Sequence, residues 1–227
     1  MIGFYDYTLI LTLGSCISAV IGIAMASMGH IGKAVLCLII SGICDGLDGK
    51  VARTKKNRSD DEKSFGVQLD SMCDMMAFCA LPAVTMMKIL AYSPLSIAAA
   101  AFYGVCSVIR LSYYNMKEIN RMNMKEPSEK VYFGLPITSS AMILPTTYIL
   151  ETLVFRELKP VSFAVIFFIT GLCFVLNFRI RRPGRVVKAG LIAFVVLFLL
   201  ALFVFSGFPG SGMGLLPFLR DAFSAVP

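Results

Sequence analysis

Four aspartates lie in apolar stretches of the sequence at spacings that suit metal and acid-base chemistry. Asp45 and Asp48 are three residues apart in CDGLDGKVAR (44–53), and Asp70 and Asp74 are four apart in GVQLDSMCDM (66–75). Residues three or four apart share one face of a helix, so each pair presents two carboxylates in one direction. Mg²⁺, Mn²⁺ and Ca²⁺ prefer such oxygen ligands, and a carboxylate within reach of a hydroxyl can act as a general base. The sequence therefore predicts a site for divalent cations.

Most of the chain is apolar enough to lie in lipid. Of its 227 residues, 57% are hydrophobic and 15% are charged, whereas about a quarter of an ordinary soluble domain is charged. A helix needs roughly 20 apolar residues to cross a bilayer, and its backbone groups must find hydrogen-bond partners inside the helix. The sequence predicts an all-α, polytopic integral membrane bundle with spans at 8–28, 32–53, 66–91, 95–115, 134–155, 160–178 and 186–206.

The basic residues predict the orientation of the bundle. Most of the 21 Lys and Arg residues fall in three connections, at 50–63, 117–130 and 179–188. Such connections stay on the cytoplasmic side, where they also face anionic headgroups. We therefore expect a multi-pass protein of the cytoplasmic membrane, with a cytoplasmic N-terminus and the aspartates near that surface. The basic residues are divided among loops, so the net charge of +7 gives no reason to invoke nucleic acid.

Other sequence features predict no further site. Residues 24–26, AMA, resemble a signal-peptidase site, but the preceding segment lacks Lys and Arg and contains Asp6, so we interpret the first span as retained. His30 is the single histidine and is expected in a solvated loop. We expect a single membrane domain over 1–206 and a Gly- and Pro-rich segment at 207–227. The seven cysteines form no C-x-x-C pair and are interpreted as free, packed thiols, at 16, 37, 44, 73, 79, 106 and 173.

The two aspartate pairs are expected to meet at matching depths in the membrane. At about 1.5 Å per residue, Asp48 and Asp70 lie roughly 6–8 Å below the cytoplasmic ends of two antiparallel helices, and Asp45 and Asp74 about 12 Å. A carboxylate inside a membrane helix costs roughly 2.5–3.5 kcal/mol, so the cluster needs compensating positive charge. Two divalent cations would neutralise four carboxylates.

Small residues line one side of the second span. Gly42, Gly46, Gly49 and Ala52 leave this side without bulk. Two interpretations stay open: a ligand approaches the backbone here, or a neighbouring helix packs closely against it.

The aspartate segments resemble the signature of the CDP-alcohol phosphotransferase (CDP-alcohol phosphatidyltransferase) family. That signature is D-x-x-D-G-x-x-A-R followed by G-x-x-x-D-x-x-x-D, and residues 45–53 and 66–74 match its two halves. The 12 residues between Arg53 and Gly66 form a longer gap than is common in the family. The extra residues fall in the polar stretch 55–63, where they are expected to lengthen a loop.

The resemblance implies a six-helix core, here about 8–178, that is usually dimeric and opens to the cytoplasmic leaflet; the span at 186–206 is an addition. It implies that the four aspartates hold two divalent cations, Mg²⁺ or Mn²⁺, with Ca²⁺ able to replace them in crystals. Asp74 would also take the proton from the attacking alcohol as the catalytic base. The cytidine diphosphate site would be lined by Asp45, Gly49, Ala52, Arg53 and Gly66.

Shorter matches resemble the bacterial phosphatidylserine synthase branch of that family. They are FGVQLDS (65–71), Arg110-Leu111 with Asn115, FGLP (133–136) and RRP (181–183). This resemblance implies transfer of the phosphatidyl group of CDP-diacylglycerol to L-serine, giving phosphatidylserine and CMP. Arg110 lies inside a span, where it either pairs with the carboxylate of serine or reaches toward the interface and lipid phosphate.

Three alternative functions have to be compared with this reaction. Glycerol 3-phosphate or an inositol derivative could be the acceptor in the same chemistry. A divalent-cation transporter would also place carboxylates in helices, but its site is expected near the bilayer midplane between repeats. A receptor-like or structural protein that has lost catalysis is disfavoured by the complete set of aspartates.

Overall fold

Apolar helices make up most of the chain that the structure describes. The structure is a computed structural model that describes residues 3–4, 6–55, 59–124, 131–151 and 160–181. A 3₁₀ turn at Tyr7–Leu9 leads into helix α1, Ile10–Ser27, and helix α2 follows at Ile31–Ala52. The reversal between them is tight because Gly29 adopts φ +89°, a backbone conformation that glycine reaches without strain.

The next two spans are long, continuous helical rods. Helix α3, Asp60–Asp74, passes through a π-helical segment, Met75–Ala80, into helix α4, Leu81–Ile89. After a short turn, helix α5 extends over Pro94–Met124. Because α5 has 31 residues and a bilayer needs roughly 20, its end carries polar side chains beyond the apolar region.

The last described elements are two helices and a short ribbon. Strand β1, Val131–Phe133, pairs antiparallel with strand β2, Arg179–Arg181. Between them lie a 3₁₀ turn at Ile137–Ser139, helix α6 at Ser140–Leu150 and helix α7 at Pro160–Val175.

Hydroxyl groups and large apolar side chains hold the bundle together. Ser15 Oγ donates to the carbonyl of Ser41 at 3.3 Å, and Ser41 Oγ donates to the carbonyl of Ser15 at 3.0 Å, which fastens α1 to α2. Tyr103 of α5 is buried and its hydroxyl donates to the carbonyl of Phe78 at 2.6 Å. These contacts satisfy polar groups that would be costly to leave unpaired in a dry interior.

The helical membrane class predicted from the sequence is confirmed. Within the described residues, three helical segments are long and apolar enough to cross a bilayer, at Tyr7–Ser27, Asp60–Ile89 and Pro94–Arg121. Two shorter apolar helical segments lie at Ile137–Leu150 and Val161–Val175. The total number of spans stays a prediction, since the seventh span at 186–206 and the segment 207–227 lie outside the described residues.

Three helix bounds differ clearly from those expected. The fourth span continues as helix past 115 to Met124, because its end carries polar side chains beyond the apolar region. The third span begins at Asp60 instead of 66, because Ser59 caps the helix in a capping box with Glu62. The fifth begins later than 134, because residues before Pro136 form the ribbon and a turn precedes α6. The ribbon is an addition to the all-helical architecture.

Candidate active site

The structure brings three of the four aspartates together. Carboxylate oxygens of Asp45 on α2 and of Asp70 and Asp74 on α3 all lie within 4.8 Å of one another. Two oxygens on opposite sides of an ion are separated by about twice the metal–oxygen distance, about 4.2 Å for Mg²⁺ and about 5 Å for Ca²⁺. The spacing and the all-oxygen donor set therefore fit a hard divalent cation.

Asp48 lies beside this cluster, one helical turn nearer the end of α2. Its carboxyl group contacts that of Asp70, while the carboxyl groups of Asp45 and Asp74 contact each other. This is the pairing by depth that the antiparallel helices predict. Thr12 of α1 donates a hydrogen bond from Oγ1 to Asp48 Oδ2 at 3.3 Å.

The backbone of the third span changes where the aspartates end. Asp74 is the last residue of α3, and the π-helical segment begins at Met75. The wider π turns are rare in proteins and occur often at functional sites. Ser71, between the two aspartates, donates to Asn115 Oδ1 at 2.5 Å and ties α3 to α5.

A cavity of about 650 Å³ opens beside the aspartates. Asp48 and Asp70 lie in its wall, together with the four further residues that sequence resemblance assigned to the nucleotide. These are Gly49, Ala52, Arg53 and Gly66. Asp45 is not in the wall formed by the described residues; it lies deeper, with Asp74, in the carboxylate cluster.

The structure separates the roles of the small residues on α2. A Cβ added at Gly42 would lie 2.9 Å from Cβ of Ala141, so Gly42 serves close packing against α6. Among the described residues, a Cβ added at Gly46 or Gly49 meets no heavy atom within 4 Å. Of the two, Gly49 lines the cavity, so a ligand in the cavity can approach its backbone.

Arg53 lies at the end of α2, with its side chain turned back along the helix. Its Nε donates to the carbonyl of Gly49 at 2.8 Å. This contact uses one of the five N–H donors of the guanidinium group. The group is thereby fixed at the cavity wall, where its charge and planar shape suit a phosphate.

The lengthened connection between α2 and α3 is fastened to the N-terminal segment. Lys55 Nζ lies 2.9 Å from Asp6 Oδ2 and 3.3 Å from Glu62 Oε1. The hydrogen bond to Asp6 raises the pKa of Lys55, and Glu62 adds to the effect. The hydroxyls of Tyr7 and Thr54 are 3.0 Å apart. These contacts fasten both described ends of the connection to the N-terminal segment or to each other.

Part of the cavity wall was missed by sequence reasoning. Asp60 and Lys63 come from the extra first turns of α3 and form an ion pair at 2.8 Å. Glu118 and Arg121 pair on α5, beyond its apolar part. Their spacing of three residues predicts that each pair shares a helix face, but no sequence signal places that face at the cavity. Among the described residues, Thr8, Leu9, Thr12 and Val67 also line the wall.

Arg110 of α5 is buried and contacts the segment that precedes α6. The residue is 6% exposed, and its Nη2 donates to the carbonyl of Gly134 at 3.1 Å. Its guanidinium carbon lies 4.0 Å from the ring centre of Tyr114. Such burial does not fit a side chain that reaches toward the interface. Its role toward an acceptor stays a prediction, since Arg110 is not among the described residues of the cavity wall.

Comparison with known proteins agrees with the aspartate signature. A sequence-family model described as CDP-alcohol phosphatidyltransferase matches residues 8–176. A CDP-diacylglycerol–serine O-phosphatidyltransferase of Helicobacter pylori is 27% identical over 149 residues, which cover 65% of this chain and 59% of the relative. Proteins of the same name from Mycobacterium bovis and Saccharomyces cerevisiae are 34% and 29% identical, covering 51% and 64% of this chain. The chain spans 40% and 56% of the lengths of these two relatives.

Proposed function

We propose a reaction for this chain, which belongs to the CDP-alcohol phosphatidyltransferase family: it transfers the phosphatidyl group of CDP-diacylglycerol to the hydroxyl of L-serine. The products are phosphatidylserine and CMP. The observation that carries the proposal is the carboxylate cluster of α2 and α3, which lies beside a cavity lined by the other residues of the family signature.

The cavity provides a place for the cytidine diphosphate group. Gly49 leaves open space at its wall, Gly66 also lines it, and Arg53 supplies positive charge at the end of α2. A nucleotide held here would direct its diphosphate toward Asp48 and Asp70, which line the same cavity. The diacylglycerol chains would then extend into the surrounding lipid, since α1 exposes large apolar side chains such as Ile10 and Ile17.

The aspartates would hold two Mg²⁺ or Mn²⁺ ions, with Asp45, Asp70 and Asp74 closest together. When bound, divalent cations supply positive charge that polarises a phosphoryl oxygen and stabilises a departing phosphate. The carboxylates of the chain fix where that charge lies, because their helices are packed into the bundle.

The proposed transfer breaks the phosphoanhydride bond of the diphosphate and forms a phosphoester bond to serine. The serine hydroxyl oxygen attacks the lipid-side phosphorus, and the bond from that phosphorus to the bridging oxygen breaks. CMP leaves with the bonding electron pair, and the hydroxyl proton passes to the Asp74 carboxylate, the catalytic base. Asp74 lies in the half-buried cluster at the π segment, below the level of Asp48 and the cavity wall.

Serine is proposed as the acceptor because the relatives above are named as serine phosphatidyltransferases. The short matches at 65–71 and 133–136 support the same choice. Arg110 is the proposed partner of the serine carboxylate. It would have to exchange or share its contact with Gly134, which lies in the FGLP segment.

The setting of the reaction is proposed as well. We expect a homodimer in the cytoplasmic membrane, with the cavity open to the cytoplasm, as the basic connections favour. One transferase domain over 1–206 would include the core at about 8–178 and an added span at 186–206.

An alcohol panel tests the proposal. Purified protein in detergent receives CDP-diacylglycerol and Mn²⁺ with serine, inositol, inositol phosphate, glycerol 3-phosphate or ethanolamine, and CMP release is measured. We expect release with serine, abolished in Asp74→Asn and retained in Asp61→Asn, which changes a carboxylate outside the described cavity wall. CMP release with another alcohol but not with serine would rule out serine as the acceptor. The absence of CMP release with every alcohol would refute the proposed transferase activity.

A further inference from the structure

The hydroxyl of Thr12 makes an unusual contact for a threonine in this bundle. Four other helical threonines donate to the backbone carbonyl four residues earlier in their own helix, at distances of 2.6–2.8 Å. These are Thr85, Thr146, Thr147 and Thr170. That bond is the usual way for a threonine to satisfy its hydroxyl in a helix. Thr12 instead donates across to another helix, to Asp48.

The contact belongs to a row of hydroxyls that joins α1 to α2. Ser18 donates to the carbonyl of Cys37 at 2.9 Å, and Ser15 donates to that of Ser41. Thr12 is next in the row, three residues before Ser15, so it shares their helix face. The two serines donate to backbone carbonyls, which serve packing alone, whereas Thr12 donates to a carboxylate in the cavity wall.

Thr12 is well placed to fix the direction of that carboxylate. It is 5% exposed, and its β-branched side chain has few rotamers in a helix. Its hydroxyl engages Oδ2 of Asp48, so the rotation of the carboxyl group about its own bond is restrained. The carboxyl group also contacts Asp70, a member of the three-oxygen cluster. By restraining the carboxyl group of Asp48, Thr12 also restrains the arrangement of carboxylate oxygens that a cation would bind.

We propose that Thr12 is a positioning residue that holds Asp48 in the orientation in which it binds a divalent cation. The proposal rests on the cation site of the proposed function but not on the identity of the alcohol. Hydrogen-bond partners of metal ligands change metal affinity by about 10- to 100-fold when removed. The 3.3 Å contact is longer than the optimum of about 2.7–2.8 Å, so we expect a change of about 10-fold.

The test measures Mn²⁺ binding to the purified protein in detergent, with no CDP-diacylglycerol and no alcohol. Free Mn²⁺ is followed by electron paramagnetic resonance in the parent protein, in Thr12→Val, which keeps the shape but loses the donor, and in Thr12→Ser, which keeps the donor. Thr12→Val should raise the Kd by about 10-fold, and Thr12→Ser should stay close to the parent. Thr12→Ala removes the same hydroxyl with a smaller side chain, and it replaces Thr12→Val in the test if that variant does not fold.

Ser18→Ala is the matched control, because it removes a hydroxyl from the same interface at a site that donates to a carbonyl. It should leave Mn²⁺ affinity unchanged while lowering the unfolding temperature of the metal-free protein as Thr12→Val does. Parent-like affinity in both Thr12→Val and Thr12→Ala would overturn the proposal, as would an equal loss of affinity in Ser18→Ala. A parent protein that binds no Mn²⁺ would overturn it too. Mn²⁺ binding without phosphatidyl transfer would instead refute the proposed function and leave this inference standing.

Discussion

Three glycines of α2 should respond differently to the same change, Gly→Ala. At Gly42 the new methyl would lie 2.9 Å from Cβ of Ala141 on α6. At Gly46 and Gly49 it would meet no heavy atom of the described residues within 4 Å. Gly49 lines the cavity, and Gly46 is not part of the wall that those residues form. The three variants therefore test different properties of one helix: Gly42→Ala tests packing between helices, Gly46→Ala tests an open surface, and Gly49→Ala tests the approach of a ligand.

The expected magnitudes follow from these distances. Alanine is favoured over glycine in a helix by about 1 kcal/mol, a gain common to all three positions. Two carbons at 2.9 Å are well inside the contact distance of about 3.5–4.0 Å, so α2 and α6 must move apart at Gly42. Overpacking of this kind costs about 1–3 kcal/mol. The free energy of unfolding of Gly42→Ala should equal that of the parent or be lower. For Gly46→Ala and Gly49→Ala it should equal that of the parent or be higher.

Nucleotide binding gives the second readout. The methyl of Gly49→Ala would project into the cavity, and a clash of about 1.4 kcal/mol weakens CMP binding about 10-fold. Gly46→Ala should bind CMP as the parent does. Unfolding can be followed with a thiol-reactive dye, because Cys37, Cys73, Cys79 and Cys106 are buried and react once the fold opens. A Gly49→Ala protein with unchanged CMP affinity would refute the placement of the nucleotide in this cavity.

Further predictions concern the elements around the site. Gly134→Ala should lower the unfolding temperature, because φ is +67° and the added Cβ would lie 2.7 Å from the carbonyl oxygen of Leu176; unchanged stability would contradict this strain. Ser59→Ala should destabilise the first turn of α3 by about 1 kcal/mol, seen as faster hydrogen exchange there but not in α5. Asp6→Asn should raise the KM for CDP-diacylglycerol slightly, because Lys55 loses one of its two carboxylate partners, whereas Asp6→Glu should stay closer to the parent; a parent-like KM in Asp6→Asn would argue against a role for the ion pair. Because the pKa of Lys55 is raised, the contribution of the pair is complete below the ordinary lysine pKa of about 10.4 and is lost as the pH rises through the higher folded value.

The aspartate cluster was predictable because it depends on short-range geometry. Spacings of three and four residues fix a shared helix face, and consecutive membrane helices joined by a polar connection run antiparallel. These two facts alone bring Asp45 and Asp74 to the same depth. The apolar composition likewise predicts helices, since lipid leaves few other ways to satisfy the backbone.

The rest of the site depends on contacts between residues distant in sequence. Gly42 and Gly49 have the same residue type and the same helix face, yet one packs against α6 and the other lines a cavity. Their difference is set by where α6 lies, which no local pattern encodes. Thr12 lies 36 residues before Asp48, so its contact becomes visible only once α1 and α2 are packed.

The structure of the lengthened connection was also only partly predictable from the sequence. The sequence predicts a longer loop between Arg53 and Gly66, but the structure uses several of the extra residues to begin α3 earlier. Ser59 makes a helix start possible there, and the acidic residues that follow favour it through the helix dipole. That these turns bring Lys63 to the cavity depends on the direction in which α3 leaves the membrane.

The most direct measurement follows the serine oxygen through the reaction. CDP-diacylglycerol, Mn²⁺ and L-serine labelled with ¹⁸O in the hydroxyl are incubated with the protein, and both products are analysed by mass spectrometry. Attack of the hydroxyl on the lipid-side phosphorus predicts that phosphatidylserine retains the ¹⁸O and that CMP carries none. Label in a CMP-serine product with release of phosphatidic acid, or CMP formed with no serine in lipid, would contradict the proposed transfer.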